Sequence, residues 1–155
     1  MSIVIREMVN NDRRPVKWMM EDFYSTDAVA TNGSEEIFKS DIDACLSDNP
    51  YLEGYVFEDD GYIFGYAMLA KSFSTEYGKP CIWIEDIYIK KEHRGKGLGS
   101  TFFDIITKKY PDAILRLEVE AENERAIRCY KSVGFKESRR YRKGQLSVIE
   151  MIYED

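Results

Sequence analysis

Residues 87–106 read IYIKKEHRGKGLGSTFFDII, and the fold turns on how this stretch is read. A β-branched apolar run, Ile87 to Ile89, breaks into charge. Gly95, Gly97 and Gly99 then follow at every second position, and a helical pattern begins. Glycine loses more conformational freedom on folding than any other residue. A strand–glycine–helix junction offsets that loss by exposing backbone N–H groups, with a helix N-terminus behind them, to an anion. Lys90, Lys91, Arg94 and Lys96 make the junction cationic as well. Two commoner phosphate motifs do not fit. A Walker A loop needs Lys directly after its last glycine, whereas Gly99 is followed by Ser100 and Thr101. A dinucleotide fingerprint needs glycine where Ser100 stands. Glu118 and Glu120 mimic its acidic residue, but only one βαβ unit is available around the motif.

Working outward, SIVIREMV reads as a short strand. Asp12–Ser25 reads as a helix, with Val16, Met19, Met20 and Phe23 at 3–4 spacing. Ser34 is placed to cap a second helix carrying Ile37, Phe38, Ile42 and Leu46 on one face, ended by Pro50. YLEGYVFE and GYIFGYAMLAKSF are strands around the turn signal Asp59-Asp60-Gly61. KPCIWIEDIYI is a further strand, followed by the glycines and a helix to about Tyr110. ILRLEVE alternates as a strand. Asn123 opens a last helix, which Gly134 closes. FKESRRYR and QLSVIEMIYE form a final hairpin around Lys143-Gly144. The order β-α-α-β-β-β-α-β-α-β-β predicts an α+β fold, a mixed and mostly antiparallel sheet flanked by helices. Only the strands on either side of the Gly95–Tyr110 helix need to be parallel.

The 155 residues suit one domain, 1–155, and 44% of them are apolar. The net charge of −6 argues against nucleic acid as a partner. Cys45, Cys81 and Cys129 are odd in number and far apart, and the single His93 completes no usual zinc set, so no metal site is expected. Reduced thiols, the absence of a signal peptide and the absence of a long apolar run predict a cytoplasmic protein without a membrane span.

Arg94-Gly95-Lys96-Gly97-Leu98-Gly99 resembles the R/Q-x-x-G-x-G/A signature of the GNAT superfamily of acyl-CoA-dependent N-acetyltransferases. Asn123-Glu124-Arg125-Ala126-Ile127-Arg128-Cys129-Tyr130, with Gly134-Phe135, is similar to that family's second motif, in the right order and separation. The element order is also the family's, so the resemblance covers essentially the whole chain. Trp83-Ile84-Glu85-Asp86-Ile87-Tyr88-Ile89, with Gly65-Tyr66-Ala67-Met68 upstream, resembles the spermidine/spermine N-acetyltransferases.

The resemblance implies acetyl-CoA as co-substrate, direct transfer to a small amine, and a homodimer. Amides from Gly95 through Lys96, Gly97, Leu98 and Gly99 to Ser100 would cradle the pyrophosphate. Lys90, Lys91, Arg94 and Lys96 are candidates for the adenosine phosphate, and Asn123 and Arg125 belong to the same cofactor-binding set. The backbone of Ile87, Tyr88 and Ile89 would pair with the pantetheine arm as a strand would. Acetyl transfer needs a base for the ammonium, a donor for the oxyanion and a proton for the departing thiolate. Glu85 and Asp86 lie in an apolar strand, where a carboxylate is expensive unless it serves a purpose, and alternation sends them to opposite faces. Glu85 is the favoured base, acting through water, and Asp86 is the alternative base or an amine-binding group. The resemblance makes Tyr130 the acid toward sulfur; by spacing alone it belongs to the apolar stripe of its helix. The rivals are a protein or peptide acetylase and a non-catalytic acyl-CoA-binding module.

Overall fold

The structure, a computed structural model, describes residues 2–25 and 33–154. Hydrogen-bonded strands run in the order β1 (Ile3–Glu7), β2 (Leu52–Asp59), β3 (Tyr62–Ser74), β4 (Lys79–Ile89), β5 (Ile114–Glu120), β7 (Leu146–Tyr153) and β6 (Lys136–Lys143). The helices are α1 (Arg13–Tyr24), α2 (Glu35–Leu46), α3 (Leu98–Lys109) and α4 (Glu124–Ser132). The expected element order is therefore present. The parallel ladder joins Cys81–Trp83 of β4 to Ile114–Arg116 of β5 across α3. The pairs β1–β2, β2–β3, β5–β7 and β6–β7 are antiparallel. Asp60 and Gly61 both take positive φ, 48° and 86°, as a tight hairpin turn requires. The chain forms two compact units. One holds the residues up to Lys71 with Glu85–Arg94, and the other holds Ser72–Ile84 with the residues from Gly95 onward.

In the first unit, α1 and α2 are amphipathic and bury one stripe each. Val16, Met19 and Met20 of α1 and Phe38 and Ile42 of α2 meet Met8, Val56, Tyr66, Met68 and Tyr88 in one apolar cluster. Full burial of each such side chain contributes about 1.5–3 kcal/mol. The predicted caps hold. Ser34 Oγ accepts from the Ile37 amide at 3.2 Å. The helix predicted to start at Asp12 instead opens with a 3-10 turn, Asn10–Asp12, and is α-helical from Arg13. The reason is electrostatic. The buried Asp12 carboxylate accepts from Arg6 Nη1 at 2.8 Å and from the Val9 amide at 2.8 Å, so it ties the entry to β1. The second predicted helix ends at Leu46, four residues short of Pro50.

In the second unit, α3 buries Leu98, Phe102, Phe103 and Ile106, and β5 buries Leu115, Leu117 and Val119. Phe103 meets Phe135 edge-on with ring centroids 5.1 Å apart, and Phe135 lies 5.8 Å from Tyr153. Asn123 caps α4 through its Oδ1, which accepts from the Ala126 amide at 3.3 Å. Gly134 follows the helix at φ 111°.

One glycine positions the strand that carries the candidate site. A Cβ on Gly65 would stand 2.8 Å from the Tyr88 carbonyl oxygen, a backbone atom. β3 can therefore approach Ile87–Ile89 closely only without a side chain at that position. Gly65→Ala is expected to lower the urea unfolding free energy by about 1–3 kcal/mol, the usual range for overpacking, and an unchanged midpoint would show that the strands yield freely.

Candidate active site

The glycine junction begins with a left-handed backbone. Gly95 has φ 78° and Gly97 φ 73°, a region costing other residues about 1–2 kcal/mol. Gly97 is the residue preceding α3, and no side chain caps the helix. The first N–H groups of a helix have no intrahelical partner. Thr101 is the first residue to bond back, from its amide to the Gly97 carbonyl at 3.2 Å. The amides of Leu98, Gly99 and Ser100 thus open the helix, with its positive dipole end behind them. A Cβ on Gly97 would meet nothing within 4 Å, so the space beside it is open to a ligand. The nearest atom to a Cβ on Gly95 is Arg125 Nη2, at 3.4 Å. Loop and guanidinium together fit a pyrophosphate.

The three glycines do not share one role. Gly99 differs from the other two in its surroundings. It lies inside α3, and its Cβ would meet Cys129 Sγ of α4 at 3.2 Å. Gly99 serves the close approach of α3 and α4 instead. Leu98 buries its side chain and offers only its backbone. Lys96 and Ser100 are exposed. Arg94 is engaged within the first unit: its Nε donates to the Ile89 carbonyl at 2.6 Å, and its guanidinium lies 5.6 Å from the centre of the Tyr88 ring. One backbone acceptor of the Ile87–Ile89 strand is therefore occupied by this arginine. Lys90 turns toward Tyr62, whose hydroxyl it meets at 2.8 Å. His93 stacks on Phe64 with centroids 4.0 Å apart.

The two adjacent carboxylates have unlike surroundings. Glu85 is exposed, so the argument that a carboxylate here is expensive applies to Asp86 alone. Asp86 is 5% exposed. Tyr24 of α1 donates its hydroxyl to Oδ1 at 2.9 Å, and Tyr66 of β3 donates to Oδ2 at 2.7 Å. Burial pushes the Asp86 carboxyl up, and the two phenols oppose that shift. Asp41 of α2, half-buried, is pushed up to about 6, by burial first and by the charge of Asp86 second. Burial raises the Tyr24 and Tyr66 phenols as well, and the Asp86 charge adds to it. Tyr88 next door donates its hydroxyl to Asp22, and burial pushes its phenol up to about 12.

Asp41, Tyr24 and Tyr66 were not singled out as site residues from the sequence. Asp41 did leave a trace there, because it follows Ile37 by four and Phe38 by three, on the apolar stripe of α2.

In the second unit, Tyr130 is half-buried between Phe103 and Phe135, at 6.0 and 5.9 Å between ring centres. Burial raises its phenol, which stays protonated at neutral pH. Glu118 is not a loose negative charge, since Lys143 Nζ lies 3.1 Å from its Oε1. The thiols are poor nucleophiles. Burial pushes Cys45 up to about 12 and raises Cys81 and Cys129 too. Among the described residues no group of three His, Cys, Asp or Glu could hold a metal ion. Among them, too, no helix is long and apolar enough to cross a membrane.

Two outcomes follow from this geometry. Gly97→Val is expected to fold, at a cost of about 1–2 kcal/mol for its left-handed backbone, and to lose binding of acetyl-CoA by calorimetry; wild-type affinity in the folded variant contradicts the cradle. Asp41 has a raised folded value, about 6 against about 3.9 unfolded. Its contribution to stability is thus present below pH 4 and is lost as pH rises toward 6. Urea midpoints of Asp41→Asn and wild type are expected to diverge over that window in favour of the variant, and parallel curves would place Asp41 in ordinary solvent.

The family model for the Acetyltransferase (GNAT) family matches residues 14–135. The thialysine N-epsilon-acetyltransferase of Bos taurus is 39% identical over 75 residues, 46% of this chain and 44% of that protein. The enzyme of the same name from Sus scrofa is 29% identical over 150 residues, 86% of this chain and 84% of its own. The crystal structure of the ribosomal-protein-S18-alanine N-acetyltransferase from Escherichia coli superposes with TM-score 0.73 at 20% identity, covering 98% of this chain and 93% of that one. With the glycine cradle, the capped α4 and the sheet order in place, the chain belongs to the GNAT family and is an acetyl-CoA-dependent N-acetyltransferase.

Proposed function

We propose that the protein moves an acetyl group from acetyl-CoA directly to a primary amine of a small cationic molecule, a polyamine or a related amine. The observation that carries this reading is the concentration of carboxylates around Tyr24. Asp86, Asp41 and Glu85 all raise its phenol electrostatically. Carboxylates grouped in this way raise the local concentration of a cation and orient it. The thialysine acetyltransferases are named for a small amine acceptor, which supports the same class.

In this reading the chain 1–155 is one catalytic domain, working as a homodimer in the cytoplasm. The Leu98, Gly99 and Ser100 amides and the dipole of α3 hold the pyrophosphate. Arg125 and Lys96 add positive charge, and Arg94 exchanges its bond to Ile89 for the cofactor. The strand Ile87–Ile89 then offers its backbone to the pantetheine arm. Glu85, exposed, takes the proton of the ammonium through water, and the neutral nitrogen attacks the thioester carbonyl. A tetrahedral oxyanion forms and collapses, breaking the C–S bond. Tyr130, protonated, gives its proton to the departing sulfur, and the acylated nitrogen sheds its extra proton to water, from which the phenolate recovers one. Asp86 holds the cationic acceptor or serves as the alternative base. A peptide amine is the second acceptor class, named in the Escherichia coli structural neighbour.

Tyr130→Phe keeps the ring and is expected to lower kcat about tenfold to a thousandfold with little change in affinity for CoA. A near wild-type kcat would return Tyr130 to a packing role. Glu85→Gln should slow the reaction more at neutral than at high pH, where free amine forms unaided. The acceptor class is tested by thiol release with spermidine, a monoamine of similar length, a neutral amino acid and an alanine-terminated peptide. Spermidine is expected to give the highest kcat/KM, with an advantage that shrinks as salt rises. Rapid turnover of the peptide with none of spermidine would replace the polyamine assignment and leave acetyl transfer intact.

A further inference from the structure

The clamp on Asp86 goes beyond what acetyl transfer to an amine requires, and it lies wholly within the first unit. Three elements converge on one carboxylate. β4 supplies Asp86, α1 supplies Tyr24 and β3 supplies Tyr66. Each phenol takes a different carboxylate oxygen, at 2.9 and 2.7 Å. A carboxylate has about four lone-pair sites, so each oxygen retains acceptor capacity after these bonds. Tyr66 is fully buried, whereas Tyr24 is half-buried. Tyr24 is also the last residue of α1, with its ring 5.3 Å from that of Phe38 on α2. An incoming ammonium can therefore reach Tyr24 but not Tyr66.

The charged neighbours of Asp86 are Asp41 on α2 and Glu85 on its own strand. Cys45 on α2 also feels its charge, and Asp22 on α1 is taken up by the Tyr88 hydroxyl. Among the described residues, these neighbours other than the two phenols and the thiol are acidic, and the side-chain bonds to Asp86 come from the two phenols and not from a cation. Like charges and burial both disfavour an ionised carboxylate, so hydrogen bonds to its charged form must oppose them.

We propose that Tyr24 and Tyr66 are positioning residues for the acceptor: they hold Asp86 as an oriented carboxylate for a substrate ammonium, Tyr66 from the buried side and Tyr24 from the side the substrate reaches. The proposal rests on the reading of the acceptor as a cationic amine. It assigns the two tyrosines no part in proton transfer to sulfur or from nitrogen. Their loss should act on binding of the cation more than on the chemical step. The phenol of Tyr24 also closes α1 over β4 at this point, so helix and catalytic strand are set together.

The test compares wild type with Tyr24→Phe, Tyr66→Phe and Asp86→Asn, using spermidine as acceptor. Carboxyl-carbon NMR follows the titration of Asp86 without acceptor or acetyl-CoA. Each tyrosine variant removes one oxygen and should melt cooperatively. In each, Asp86 is expected to titrate about one pH unit higher, the size of one lost hydrogen bond to a charged group. KM for spermidine should rise about tenfold at pH 7 while kcat stays within about twofold, the same loss of one hydrogen bond. An unmoved Asp86 titration overturns the proposal, as does a moved titration with KM unchanged, because a merely structural pair gives no KM–kcat split. If Tyr66→Phe does not fold, half-buried Tyr24→Phe is read by the same criteria. Asp86→Asn separates the two layers. A wild-type KM for spermidine in that variant removes Asp86 from the acceptor site and the proposal with it. A raised KM there, with both tyrosine variants unchanged, rejects the tyrosines alone.

Discussion

A carboxylate taken out of water must be given hydrogen bonds or it takes up a proton, and the first unit is arranged to meet that demand at Asp86. The hydroxyls of Tyr24 and Tyr66 reach it from α1 and β3. Those rings sit in or against the same apolar cluster that fixes α1 and α2 on the strands. The polar bonds therefore depend on the packing, and the packing in turn depends on placing two large tyrosines whose hydroxyls would otherwise be stranded. The close approach of β3 at Gly65 sets the strand beside Tyr88, two residues from Asp86. A change to any of these parts reaches the carboxylate.

The second unit solves a different problem, which is how to leave backbone donors unsatisfied without harm. α3 begins without a capping side chain, and Gly97 bends the chain into it with a left-handed backbone. The starts of α2 and α4 are capped in the usual way, by Ser34 and Asn123, while α1, also without a capping side chain, opens from the 3-10 turn Asn10–Asp12. The start of α3 is the one beside open space and Arg125. A helix end left open next to positive charge is a site for an anion, and acetyl-CoA supplies one in its pyrophosphate.

Expensive features of the sequence thus sort into two kinds. Gly95 and Gly97 hold a left-handed backbone, and Gly99 makes room for the sulfur of Cys129. Glu85 is exposed, while Asp86 is buried and shared by two phenols. Residues close in sequence and alike in chemistry are separated by which atoms they meet.

The sequence by itself determined the elements and their order. Periodicity, turn residues and caps are local, and β4 and β5 were legible to the residue from the alternation in KPCIWIEDIYI and ILRLEVE. The two family motifs, each contained in a short stretch, were legible for the same reason, and with them the family. The start of α1 was displaced by one residue because Asp12 answers to Arg6 rather than to its own helix. The site beyond the motifs was decided by tertiary structure. Tyr24, Asp41, Tyr66 and Asp86 come from four separate elements, and Tyr24 and Asp86 are 62 positions apart in the chain. A hydrogen bond across that separation leaves no periodic mark, because it depends on where two packed elements place their side chains. Burial, which set Glu85 and Asp86 apart, is likewise a property of the packed neighbours and not of the residue.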